Sequence, residues 1–338
     1  SDENGTVLYE ESHKAVPVHR HSIWYYFGGI TLAFICFLFA SGLLLLLYYR
    51  PTADGAFESV KFIMTKVDFG WLVRSVHAWS ANLAIFSVFV HLASTFFLKA
   101  YRTPRELTWA GGVCLLFVLM GFGFTGYLLP WNTLAFFATK VGTEIAGGVP
   151  IIGPGLCTFL RGGPEVGDAT LSRFFWLHVA ILPVGLLGLL GIHLLMVQLQ
   201  GMSKPPAAPE GRSMPFFPDF FLRDVIVWLI LLGIVLSASL YWPATLGEKA
   251  DPFAPTPAGI RPEWYFLWMF QTLKIVPGNV FGLEGEVLVN ILMGLGALVL
   301  ILVPWLDRPG TRCAWLFWAG GVVAIAYILA MPGYALWP

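Results

Sequence analysis

Apolar runs of about twenty residues, separated by polar or Gly/Pro-rich stretches, make up most of the chain. A run of that length crosses a bilayer as a helix. Seven are predicted, over residues 23–48, 75–99, 109–129, 174–198, 221–241, 287–305 and 313–331. The expected class is an all-α integral membrane protein with its two ends on opposite sides. The connections after the first, third and fifth spans are long and carry short amphipathic pieces, such as "NTLAFFATKVGTEIAGGVPIIGPG". Those on the other face are shorter. "GMSKPPAAPEGR", residues 201–212, reads as a linker. It predicts a four-helix section over 1–200, a linker over 201–213 and a three-helix section over 214–338. The first apolar run follows a polar stretch and is too long for the h-region of a signal peptide.

Composition strengthens the membrane assignment. Of 338 residues, 57% are hydrophobic and only 12% charged, too few charges to cover a soluble surface. The formal net charge is zero, which argues against a nucleic-acid partner. Cys36, Cys114, Cys157 and Cys313 lie far apart, without C-x-x-C or C-x-x-C-H, excluding a local zinc knuckle and a standard c-type haem attachment. Lys and Arg divide evenly between the two faces, so their count leaves orientation open. The short connection with Lys99, Arg102 and Arg105 against Glu106 favours an N terminus on the cytoplasmic, negative side.

Four histidines lie inside spans: His77 and His91 on the second, His178 and His193 on the fourth. An ionisable group there is costly and marks function. Fourteen residues return a helix to within about 40° of one face and advance it by about 21 Å; fifteen leave about 60° and about 22 Å. Each helix therefore presents two imidazoles on one broad face at two depths. Because the second and fourth spans run in the same direction, His77 is expected to face His178 and His91 to face His193. Two bis-histidine sites suit two b-type haems, whereas zinc would lack third and fourth ligands. Gly28 and Gly42 on the first span, and Gly112 and Gly126 on the third, repeat the fourteen-residue interval. Such glycines are expected to clear space for a flat macrocycle. The plainer alternative is interhelical histidine hydrogen bonding and close helix packing. Arg74, three residues before His77, is placed to pair with a haem propionate.

Glu263, in "PEWY", sits among Trp264, Tyr265, Phe266 and Trp268. Burial in such company raises a carboxyl pKa toward neutrality, which suits a proton acceptor.

From about residue 16 to 305 the chain resembles the cytochrome b family of quinol-oxidising complexes. "FGGITL", "AFESVKFIMTKVDFGWLVRSVHAWS", "PRELTWAGGV", "GFTGYLLPWN", "GGVPIIG" and "ATLSRFFWLH" are similar to the b6 branch. "ADPFAPTPAGIRPEWYFLWMFQTLKIVP" is similar to its three-helix subunit IV. The resemblance implies bifurcated quinol oxidation, with one electron passing to a Rieske iron–sulfur protein and then a c-type cytochrome. The other crosses through low- and high-potential haems to a second quinone site, with proton translocation. It implies Glu263 as the proton acceptor beside Tyr265, in a quinol pocket shared with Pro130, Trp131 and Pro262. It also implies a homodimeric complex in the lipid of an energy-transducing membrane, such as a bacterial inner membrane. Tyr26 stands where the b6 branch has a haem-linking cysteine, so no covalently attached haem is expected. For quinone reduction, Gln198 replaces a basic residue or His. "PFFPDFFLRDVIV" resembles the mitochondrial type and puts Arg223 and Asp224 at a Lys–Asp pair. Two other readings remain on sequence: a dihaem quinone-reactive membrane anchor without bifurcation, and a channel or proton transporter with a histidine relay.

Overall fold

The computed structural model describes residues 15–204, 212–308 and 314–336. Part of the expected linker, 205–211, and Cys313 fall outside the described residues. The elements are β1 (Ala15–Pro17), α1 (Tyr26–Leu46), α2 (Ala56–Lys66), α3 (Gly70–Phe97), α4 (Glu106–Leu128), α5 (Thr133–Gly147) and α6 (Gly153–Arg161). They continue with α7 (Asp168–Gln200), β2 (Ser213–Pro215), α8 (Phe221–Tyr241), α9 (Trp264–Ile275), β3 (Asn279–Val280), β4 (Leu283–Glu284), α10 (Gly285–Leu306) and α11 (Ala314–Leu336). Apart from the two short ribbons, regular structure among the described residues is helical.

All seven predicted spans are present: Ser22–Leu46, Gly70–Phe97, Glu106–Leu128, Asp168–Gln200, Phe216–Tyr241, Gly285–Leu306 and Trp315–Tyr334. The second and fourth begin earlier than hydropathy predicts: α3 starts at Gly70 and runs through Arg74, and α7 starts with the polar stretch Asp168–Arg173. Lipid cannot hydrogen-bond, and several hydroxyls within the spans bond back to the preceding turn, although Ser80 Oγ and Ser239 Oγ are buried without a partner. Thr31 donates to the Phe27 carbonyl at 2.8 Å, Ser75 to Trp71 at 2.7 Å, and Ser41 to Phe37 at 2.6 Å.

The chain gathers into two compact units. The first comprises Ser1–Leu47, Lys66–Leu119 and Leu187–Ala244; the second comprises Tyr48–Thr65, Met120–Leu186 and Thr245–Pro338. In the first unit α1 lies along α3, and α8 packs on both. Phe34, Ala84 and Val235 form the buried centre of this contact, and Thr31 Oγ1 meets Ser87 Oγ at 3.0 Å. The β1–β2 ribbon pairs Val16 with Met214 and ties the entry to α1 to the entry to α8. At the other end, α3 caps the end of α8. Arg74 Nη1 donates to the Ala244 carbonyl at 2.7 Å, Ser75 Oγ accepts from Ala244 N at 3.0 Å, and Trp79 Nε1 donates to the Trp242 carbonyl at 2.9 Å.

In the second unit, Asn132 caps α5 by accepting from Ala135 N at 2.8 Å and donates to the Leu246 carbonyl at 2.7 Å. Buried Arg161 ties α5 to α6. Its guanidinium donates to Thr143 Oγ1 at 2.7 Å, the Lys140 carbonyl at 2.9 Å and the Pro164 carbonyl at 3.0 Å. Leu128, Trp131, Phe136, Phe137, Leu171 and Phe174 form most of the core beneath these helices. Helix α9 packs against α10 and α11.

Candidate functional site

Each of the four span histidines presses its Cε1 edge against one of the four predicted glycines. A Cβ built on Gly42 would lie 3.3 Å from His77 Cε1, on Gly28 3.3 Å from His91, on Gly112 3.3 Å from His193, and on Gly126 2.6 Å from His178. The protein neighbour of each of these glycines is an imidazole. At Gly126 the ring fills the space a side chain would take; at Gly28, Gly42 and Gly112 a methyl would fit only if the ring gave way by a few tenths of an ångström.

Hydrogen bonds decide the tautomers. Ser41 Oγ spends its proton on the Phe37 carbonyl, so at 2.9 Å from His77 Nδ1 it accepts from the ring N–H. Thr125 Oγ1 spends its proton on the Gly121 carbonyl at 2.8 Å and accepts from His178 Nδ1 at 3.1 Å. His193 Nδ1 donates to the Thr108 carbonyl at 3.0 Å. In all three rings the proton sits on Nδ1, and the lone pair for a metal is on Nε2. His91 differs: its Nδ1 is buried with no hydrogen-bond partner. His91 and His193 lie within electrostatic range of each other in the first unit.

His178 stands on a π turn, Leu177–Ile181, inside α7. Such a turn absorbs about one extra residue. The fifteen residues from His178 to His193 therefore turn through about the angle of the fourteen between His77 and His91. The unequal spacing predicted unequal faces, and the π turn removes most of that difference.

Glu263 sits at the N-cap of α9 with extended backbone (ψ 152°), and its side chain makes no capping bond. Burial raises its carboxyl pKa above the ordinary value. Tyr265 is buried, its hydroxyl packs on Gly123, and burial together with Glu263 and Tyr127 raises its pKa. Tyr127 lies in electrostatic range of Glu263; it belongs to "GYLLPW", where the sequence reading singled out Pro130 and Trp131 instead. Trp131 is only 2% exposed and serves the core, its carbonyl accepting from Ala250 N at 3.1 Å. Pro130 and Pro262 are half-buried. A cleft of about 240 Å³ opens between Val141, Glu144, Ile145, Phe270, Lys274 and Glu286.

Arg223 and Asp224 do not pair. Successive helical positions diverge by about 100°, leaving Arg223 exposed while Asp224 turns onto Gly29 of α1. Trp228, one turn on, lies against the Asp224 carboxylate, yet Oδ1 is buried without a well-formed hydrogen bond. Gln198 is exposed. Gln200 accepts from Thr108 Oγ1 at 2.8 Å and donates to the Pro104 carbonyl at 2.9 Å. Arg74 has one arm committed to Ala244. Tyr26 stacks on Phe220 at 4.8 Å between centroids, and Cys36 is exposed on α1.

The profile of the family described as Cytochrome b/b6/petB matches residues 12–201, and that of Cytochrome b(C-terminal)/b6/petD matches 249–332. The chain belongs to the cytochrome b family. A cytochrome bc complex cytochrome b subunit of Chlorobaculum thiosulfatiphilum is 48% identical over 327 residues, covering 94% of this chain and 74% of that protein. A menaquinol:cytochrome c reductase cytochrome b subunit of Geobacillus thermodenitrificans is 49% identical over 191 residues, covering 56% and 85%. A solved structure, a hyperthermophilic respiratory Complex III, superposes with TM-score 0.85 at 30% identity, covering 99% of this chain and 90% of that one.

This cytochrome b is a multi-pass membrane protein of electron transport, and its family implies b-type haem. The residues fit that group. Four imidazoles are seated in glycine notches, three with Nδ1 engaged so that Nε2 is the ligating atom.

The notches differ in tightness, which yields a test. Gly126→Ala forces a Cβ to 2.6 Å from His178, inside any tolerable contact, and should cost about 1–3 kcal/mol through overpacking. Gly111→Ala, with nothing within 4 Å of the added atom, should be silent. Thermal unfolding and haem content of the two variants check this; equal behaviour would remove the notch from the argument.

Proposed function

We propose that this cytochrome b, the membrane subunit of a bc-type quinol:cytochrome c oxidoreductase, holds two b-type haems in bis-histidine ligation. Helix spacing assigns one to His77 with His178 and the other to His91 with His193. The haems supply one-electron carriage through the apolar layer. The protein supplies neutral imidazoles oriented by Ser41, Thr125 and the Thr108 carbonyl, and Arg74, three residues before His77, pairs with a propionate.

Quinol is oxidised beside Glu263. Its two electrons part, one to a Rieske iron–sulfur protein and onward to a c-type cytochrome, the other toward the far side of the membrane. Glu263 accepts a quinol proton, since its carboxylate is not spent on capping and burial raises its proton affinity. Tyr265 and Tyr127 flank it, and Pro262 holds the extended entry to α9. Asp224 is the group offered to a quinone carbonyl at the reduction site, with Arg223 and Gln198 at its exposed rim. Proton uptake there and release at Glu263 make the cycle translocating. The N terminus lies on the negative side and the complex is a homodimer.

The observation that carries this reading is the set of four glycine-seated imidazoles. Redox titration of the purified complex, with acid–acetone extraction of pigment, tests it. Two extractable haems with separate midpoints support it; a colourless protein would favour the channel reading. Insensitivity to quinol-oxidation inhibitors would favour a membrane anchor without bifurcation.

A further inference from the structure

The residue immediately before each glycine notch differs in one respect. Ser41 precedes Gly42 and Thr125 precedes Gly126, whereas Phe27 precedes Gly28 and Gly111 precedes Gly112. Where the hydroxyl is present, it accepts the Nδ1 proton of the histidine seated in that notch, at 2.9 Å for His77 and 3.1 Å for His178. Where it is absent, His193 finds a backbone carbonyl instead and His91 finds nothing. The notches of His77 and His91 each place Cε1 3.3 Å from the glycine's Cβ position, and His77 meets the Leu38 backbone as well as Ser41, whereas His91 Nδ1 meets neither a hydroxyl nor a carbonyl.

We propose that the hydroxyl–glycine pairs Ser41–Gly42 and Thr125–Gly126 depress the reduction potential of the iron held by His77 and His178, and that the lack of a hydroxyl before Gly28 leaves the iron held by His91 easier to reduce. The inference rests on the haem ligation proposed above. An acceptor on Nδ1–H pushes electron density onto Nε2, and a more basic ligand favours oxidised over reduced iron. His91, buried and without an acceptor, is the weaker donor. Ser41 and Thr125 act through the imidazoles and are positioning residues. The effect separates the two potentials without changing a ligand or a charge.

The test is a redox titration of the haem α-bands in the purified complex, with haem content measured in parallel. Ser41→Ala should raise one midpoint and leave the other, and Ser41→Thr should return it. Phe27→Ser, which places a hydroxyl before Gly28, should lower the midpoint that Ser41→Ala leaves alone. Should Ser41→Ala lose haem, Phe27→Ser decides: a lowered midpoint supports the proposal and an unchanged one overturns it. Unshifted midpoints with both haems retained overturn the proposal and leave the ligation standing. Absence of haem from the unmodified protein overturns both.

Discussion

Glu263→Gln lowers the turnover of quinol oxidation by about 10²–10⁴-fold, the range expected when a positioned proton acceptor is removed, while haem content and midpoints stay as they were. The amide matches the carboxylate in size, and the Glu263 side chain makes no capping bond whose loss would loosen α9. The Glu263 carbonyl, which accepts from Phe266 N at 2.9 Å, is untouched. What disappears is proton affinity. The pH profile gives a second readout. Only the ionised carboxylate accepts a proton, and burial raises its pKa above the ordinary carboxyl value. Turnover of the unmodified protein should therefore rise with pH through that raised value, and the variant should lose this limb. Unchanged turnover would remove Glu263 from the proton route.

The spans were legible because lipid imposes a length and a composition that few other environments do. The imidazole positions were legible for a related reason: a helix with two polar rings at a constant interval has few explanations other than a paired ligand. Four glycines on the same interval made the notches visible before any contact was known. What each glycine touches was not legible, since periodicity gives a face and a depth but not the neighbour. The π turn at Leu177–Ile181 was hidden because hydropathy does not distinguish i→i+4 from i→i+5 bonding. Ser41 and Thr125 passed unnoticed because lone hydroxyls in apolar helices usually bond only to the preceding turn. Both do so here, and their second bond, to a histidine, depends on a neighbouring helix. Arg223 and Asp224, adjacent in sequence, take different faces of α8, Arg223 exposed and Asp224 turned onto Gly29, which a motif does not reveal. That Trp131 is buried in the cluster with Phe136 and Phe137 was likewise not legible in its motif.

His77→Ala removes one haem of two and leaves the other with its own midpoint. The expectation follows from how separately the two rings of α3 are seated. His77 rests on Gly42 and bonds Ser41, near the C-terminal end of α1; His91 rests on Gly28, fourteen residues earlier, and shares neither partner. Truncating His77 opens a cavity beside Gly42 and costs about 2–4 kcal/mol if it stays empty. The α1–α3 contact around Phe34 and Ala84 does not depend on that ring. The freed Ser41 hydroxyl keeps its bond to the Phe37 carbonyl, so no polar atom is stranded. His91→Ala should remove the other haem by the same logic. His178→Ala should remove the same haem as His77→Ala, which tests the pairing that helix spacing assigns. The measurements are haem per protein and the surviving midpoint in each variant. Loss of both haems from His77→Ala would mean that one haem is needed to fold the seat of the other. Loss of neither would leave these imidazoles without iron, and the electron route through α3 would fail with them.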